Sequence, residues 1–182
     1  MHAPTPRAAR RPRRASLLGI GPVALALALY AAAPARADDR PLMPARVPAA
    51  YTQECAACHT AYAPALLPAA SWQRIVDGLD RHYGSDASVD AATAREIGAF
   101  LQANAGNTRR VRAAPPQDRI TRSAWFERKH RGIGAAVWRH PGVVSAAQCG
   151  ACHRGADRGD FDDDALIAPA GLDLRLLHAW RD

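Results

Sequence analysis

Along this chain, apolar residues recur at helical spacing in short stretches separated by proline and glycine breaks, behind one long apolar run from Leu17 to Ala33. Pro44 and Pro48 punctuate an extended lead-in, after which Ala49 to Cys58 is expected to form a short helix. Tyr62-Ala63-Pro64-Ala65-Leu66-Leu67-Pro68 then reads as a proline-broken apolar loop. Ser71 is a good N-cap, and Trp72, Ile75, Val76 and Leu79 line one face of the helix that follows. His82 falls on that same stripe, seven after Ile75 and three after Leu79, so it is expected to project toward the interior. Gly84-Ser85-Asp86 ends this helix. Asp90 or Ser88 caps another, whose Ala94, Ile97, Phe100 and Leu101 make a structural face before Gly106.

The second half is less regular. Asn107 to Arg122 has little apolar pattern, contains Pro115-Pro116 and carries Arg109, Arg110, Arg112, Arg119 and Arg122; it reads as a connection with mostly solvated charges. Ser123 caps a short helix bearing Trp125, Phe126 and His130, with His130 one turn beyond Phe126. Val137-Trp138 returns the chain to the interior, and Ser145-Ala146-Ala147-Gln148 is a capping box expected to open a helix into Cys149. Gly155 to Asp164 is a polar turn ending in an acidic cluster. Asp160, Asp162 and Asp164 alternate as in a calcium loop, but the glycine and closing glutamate of such a loop are missing, so a solvated surface suited to docking a partner is the better reading. Gly171 to Asp182 is a short amphipathic tail. The pattern as a whole is mainly α.

Two pentapeptides change the picture: Cys55-Ala56-Ala57-Cys58-His59 and Cys149-Gly150-Ala151-Cys152-His153. C-x-x-C-H is the attachment signature of c-type haem. Two thiols one turn apart reach the two vinyl groups of one porphyrin, and the next residue brings imidazole to the iron. The motif occurs twice and uses all four cysteines of the chain, which leaves none for a disulfide. Four thiolates closing one zinc site, or thioredoxin-like dithiols, would account for the cysteines but not for His59 and His153. Cys55, Cys58, Cys149 and Cys152 are therefore expected to attach two haem c groups, with His59 and His153 as iron ligands. A carbonyl of Pro64 or Pro68 is a candidate acceptor for the other ring proton of His59.

Charge changes the picture at the N-terminus. Arg7, Arg10, Arg11, Arg13 and Arg14 precede the apolar run, and Ala35-Arg36-Ala37 forms a small-x-small cleavage site, so residues 1–37 read as a cleaved export signal rather than a membrane anchor. Arg13-Arg14 is followed by residues that fit the twin-arginine pattern poorly, and haem c is attached to unfolded chain after export. The general secretory route and a periplasmic destination are expected. The whole chain has 24 basic and 17 acidic residues; without the signal and its six arginines 18 stand against 17, so the net charge of +7 belongs to the precursor. Nothing in that balance points to nucleic acid. The 145 mature residues suit one compact domain or two small haem lobes, and the apoprotein is expected to be poorly folded.

The sixth iron position separates a carrier from a haem that binds or transforms small molecules. The mature chain has one methionine, Met43, near its new N-terminus, so histidine is the expected ligand. His82 is the candidate for the first iron and His130 for the second. His140 stands just before Pro141 and close to Cys149, which makes a crossing to the far face awkward, and His178 lies in the tail.

Glu54 to His59, Thr60 to Pro68, Ser71-Trp72 and Gly78-Leu79-Asp80-Arg81-His82-Tyr83-Gly84 closely resemble the soluble dihaem cytochromes c of the DHC type. Trp125-Phe126-Glu127-Arg128-Lys129-His130-Arg131 and Gln148 to Asp164 resemble the same family's second half. The resemblance covers roughly Val47 to Asp164; the tail, with His178 and Trp180, departs from it. The order of elements along the chain is that of a small cytochrome c-like haem lobe, 38–106, a linker, 107–122, and a second, irregular haem-binding lobe, 123–182. The resemblance implies a periplasmic electron carrier, not an enzyme, with two bis-histidine haems whose distal positions match His82 and His130. A membrane cytochrome b as donor and an oxygen-binding c-type monohaem protein as acceptor follow from the same resemblance. The alternative is a haem enzyme or gas-binding protein with one open iron.

Overall fold

The computed structural model describes residues 41–107, 111 and 113–172, all within one compact unit, Arg36–Asp182. His178, Arg109, Arg110, Arg112 and the export segment lie outside the described residues. The described chain is helical and without strands: α1 (Ala49–Cys55), α2 (Ala69–Asp77), α3 (Ala91–Ala103), α4 (Ala124–Lys129) and α5 (Ala135–Trp138), with short 3₁₀ turns in the connections before α4 and in the stretch after α5.

The first half holds the larger core. Both α2 and α1 pack on α3. Tyr51, Leu66, Leu67, Trp72, Ile97, Phe100 and Leu101 are buried together, with the Tyr51 and Phe100 rings 4.9 Å apart. Two expected caps are in place. Asp90 Oδ1 accepts from the amides of Ala92 (2.8 Å) and Thr93 (3.1 Å), and Ser123 Oγ accepts from Phe126 N (3.1 Å).

Three boundaries differ from the sequence reading. α1 stops at Cys55, where Ala56 N–H bonds Thr52 O, so Cys58 and His59 ride on a turn rather than a helix. Pro68, not Ser71, starts α2. Its carbonyl accepts from Ser71 N (3.0 Å) and Trp72 N (3.3 Å), and Ser71 is fully buried inside the helix. α2 then ends at Asp77, because Gly78 leaves the helical region (φ −117°, ψ 27°) and a 3₁₀ turn, Leu79–Arg81, follows. His82 thus leaves the end of a turn and not the stripe of a helix.

The expected carbonyl partners of His59 are otherwise engaged. Trp72 Nε1–H donates to Pro64 O across 2.7 Å, tying the apolar loop to α2. Replacing Trp72 by phenylalanine removes this buried bond and should cost about 1–3 kcal/mol of stability, seen as a lower melting temperature; an unchanged transition would show that the loop is held without it. Gly106 sits where only glycine fits, since a Cβ there would lie 2.4 Å from Ala65 O. This close approach brings Gly106 N–H to Leu67 O at 2.9 Å and closes the first half on itself.

The stretch from 113 to 122 packs back on the first half: Pro115 and Ile120 are buried and Asp118 pairs with Arg74. Beyond it the buried apolar residues are fewer: Phe126, Ala156 and a small cluster of Val137, Val143 and Leu172, against which Ile133, Trp138 and Ala151 are packed. Cys149–Ala151 is a 3₁₀ turn and not the expected helix, with Ser145 Oγ accepting from Ala147 N (3.2 Å) in a local turn before it. Gly159, at φ +72°, ends another such turn and lies against Met43, which is itself buried in the first core.

Candidate functional site

At the first motif, α1 leaves Cys55 half-buried, and burial pushes its thiol up to about 11, with Glu54 adding to the shift. Cys58 is exposed at the surface. His59 Nδ1 lies 2.7 Å from Thr60 O. A carbonyl can only accept, so Nδ1 carries the proton and Nε2 keeps its lone pair for a metal. The Tyr62 ring stacks on this imidazole at 4.8 Å with planes 26° apart. Across from it stands His82, ring centroids 6.2 Å apart and planes 23° apart. Burial, then His59 and Arg119, keep the His82 pKa below the ordinary histidine value, which favours the neutral ring.

The wall behind His82 is built from strained backbone. Tyr83, Gln117 and Asp118 all have left-handed φ, at 53°, 58° and 55°. Tyr83 O–H donates to Gln117 O (3.0 Å), the Arg119 guanidinium lies 4.2 Å over the Tyr83 ring, and Arg74 donates twice to Asp118, at 2.6 and 2.8 Å. Such conformations persist where surrounding contacts over-determine them. Arg74 holds the Asp118 carboxyl below the usual carboxylate range. A depressed carboxylate contributes stability above its unfolded value of about 3.9 and loses it as pH falls through the folded value. As pH falls below about 4 the native melting temperature should therefore fall more steeply than that of Asp118→Asn; parallel curves would remove Asp118 from this role.

At the second motif, burial pushes Cys149 up to about 11 and raises Cys152 as well. His153 follows, its amide bonded to Cys149 O (2.9 Å), and its ring meets the edge of Phe161 at 5.3 Å. His130 caps α4 at its C-terminal end. Its Nδ1 lies 2.9 Å from Phe126 O and its ring stacks on Phe126 at 4.0 Å, so here too the proton sits on Nδ1 and Nε2 is left for a metal. Burial lowers the pKa of both His130 and His153. The two rings stand 6.2 Å apart, but with planes at 77°. Around them lies a cavity of about 570 Å³ walled by Phe126, Ile133, Val137, Trp138, Val143 and Leu166, with Arg128, Lys129 and Arg131 lining it as well. Its apolar wall suits a porphyrin and its cations suit propionates.

The separations can be tested against the group the motifs imply. An imidazole nitrogen binds a first-row metal at about 2.0–2.1 Å and sits roughly 1.1 Å from its ring centre, so two rings on opposite sides of one iron have centroids about 6.3 Å apart. Both pairs meet that spacing. The other candidates are differently engaged. His140 Nδ1 accepts from Gly142 N–H at 3.1 Å in its own turn, and Met43 is packed in the first core. Among the described residues no three or more His, Cys, Asp or Glu side chains gather to hold a bare metal ion. Asp160 and Asp162 instead accept from the amides of Asp162 (3.1 Å) and Asp164 (2.9 Å).

A profile of the dihaem cytochrome c family matches residues 51–161. The chain belongs to this family. Two haem c groups with iron come with membership, and so does haem-based electron transfer. Among solved structures, a dihaem c-type cytochrome from Shewanella baltica is 37% identical, with a TM-score of 0.60 over 68% of this chain and 96% of that one. A dihaem cytochrome c from Rhodobacter sphaeroides is 38% identical, with a TM-score of 0.56 over 64% of this chain and 98% of its own. No curated protein matches the chain.

Tyr83, Asp118 and Phe161 join the sites without a local signal in the sequence; Tyr62 has one, its place three residues beyond the motif histidine in a proline-broken apolar loop.

Proposed function

We propose that this cytochrome is a periplasmic electron carrier in which His59 and His82 ligate the first iron and His153 and His130 the second. The observation that carries this reading is the pair of 6.2 Å ring separations, each spanning from the histidine of a C-x-x-C-H motif to a second histidine. Bound haem c supplies a one-electron Fe(III)/Fe(II) couple. The protein's part is to keep two nitrogen donors on each iron and to shut small molecules out. Thr60 O and Phe126 O fix the tautomers of His59 and His130, while Tyr62, Phe126 and Trp138 flank the rings with apolar surface. Histidine in the sixth position, where methionine would raise the potential, makes both haems low-potential.

The division into lobes 38–106 and 123–182 with a connection at 107–122 belongs to the same reading, as does cleavage after Ala37 on export. The family resemblance supports a membrane cytochrome b as donor and an oxygen-binding c-type monohaem protein as acceptor. A potentiometric titration followed by absorbance tests the proposal. Two reversible one-electron steps, with no turnover of peroxide beyond that of free haem, are expected; sustained peroxide consumption would put an open, catalytic iron in place of the carrier.

A further inference from the structure

We infer that Tyr62 is a positioning residue that sets the plane of the His59 imidazole and ties it to the second haem motif. This rests on His59 being an iron ligand, as proposed above. Tyr62 is anchored at three points. Its carbonyl accepts from the buried Tyr51 hydroxyl, its ring lies on His59 at 4.8 Å, and its own hydroxyl donates to Ala147 O across 2.8 Å, two residues before Cys149. The two motif loops also touch beside it, since a Cβ on Gly150 would lie 3.7 Å from Thr60 Oγ1. Thr60 is the residue whose carbonyl holds the His59 proton. Both residues that restrain the His59 ring therefore also meet the second motif.

The second site is arranged differently. His130 takes its ring contact and its hydrogen bond from Phe126, one turn back on its own helix, with nothing borrowed from the first half in either contact. The two sites also differ in the angle between paired rings, 23° at the first and 77° at the second. The angle between axial imidazole planes orders the iron d orbitals, so near-parallel and near-perpendicular pairs give distinct low-spin electron paramagnetic resonance signals. The stacked Tyr62 ring, together with Thr60 O, holds the His59 member of the near-parallel pair.

The test uses oxidised holoprotein, with intact mass confirming two haems, in native, Tyr62→Phe and Tyr62→Leu forms. Tyr62→Leu removes the ring and should move the signal of the near-parallel site while leaving the near-perpendicular one in place. Tyr62→Phe keeps the ring, so it should retain the native signal yet lose the bond to Ala147. Amide exchange at 147–151 should then quicken by about tenfold, the worth of one hydrogen bond. Tyr62→Phe keeps the inference open to refutation even if the leucine variant fails to fold. A native signal in Tyr62→Leu, or unchanged exchange in Tyr62→Phe, would overturn it while leaving the ligation intact. A high-spin signal from the native first site would instead overturn the ligation and this inference together.

Discussion

Replacing Cys149 and Cys152 together by serine is expected to remove the second haem and unfold the chain from Ala124 onward, with α1, α2 and α3 staying folded. The reason is the uneven distribution of buried surface. Among the described residues the first core gathers Tyr51, Leu67, Trp72, Phe100 and their neighbours, whereas the second rests on Val137, Val143 and Leu172. Many of the second half's apolar side chains, Phe126, Ile133, Trp138, Phe161 and Leu166 among them, line the cavity of about 570 Å³. Without its haem that apolar wall would stand against water at about 25 cal/mol per Å², and since a domain's whole stability is only roughly 5–15 kcal/mol, the walls should collapse. Hydrogen exchange on the single-haem variant reads this directly. Amides beyond Ala124 should exchange at unprotected rates while α2 and α3 keep their protection; native protection in the second half would show that its fold does not depend on haem.

His130→Ala should open the second iron, so that the reduced variant binds one carbon monoxide per chain where the native protein binds none. No described neighbour is poised to replace the lost nitrogen. His140 Nδ1 is bonded to Gly142 N–H, Lys129 is paired with Asp163 at 3.0 Å, and Phe126 and Trp138 offer no strong donor. The first site should be untouched, which leaves a spectrum half low-spin and half carbon monoxide-bound. A variant that stays inert to carbon monoxide would mean that another residue, His140 or His178, ligates the second iron.

The chemistry of both sites was legible in the sequence because C-x-x-C-H is local, and so were the caps at Asp90 and Ser123 and the buried face of Ile97, Phe100 and Leu101. His82 was found by an argument that does not hold. The helical stripe from Trp72 through Leu79 suggested one continuous helix, but Gly78 ends it, and the ring is delivered by a 3₁₀ turn and a strained Tyr83. Ser71 looked like a cap because serine commonly is one; Pro68, three residues earlier, had already started the helix. The connection 107–122 reads as one with mostly solvated arginines, and Arg119 and Arg122 are exposed, but the packing of 113–122 on the first half is not legible. Its anchoring depends on Arg74 and Asp118, 44 residues apart, and on Ile120 reaching the first core, none of which leaves a period in the sequence. The same holds for Tyr62 and Ala147, 85 residues apart. Contacts of that kind follow from how the chain closes around the two motifs, which local patterning does not encode.

The central claim is that both irons of this one chain carry two histidines. It is tested most directly by the absorption spectrum of the reduced native protein with and without carbon monoxide, on material whose intact mass carries two haems. A low-spin spectrum that carbon monoxide leaves unchanged is the expected result, and a shifted Soret band would contradict the claim by showing that at least one iron is open.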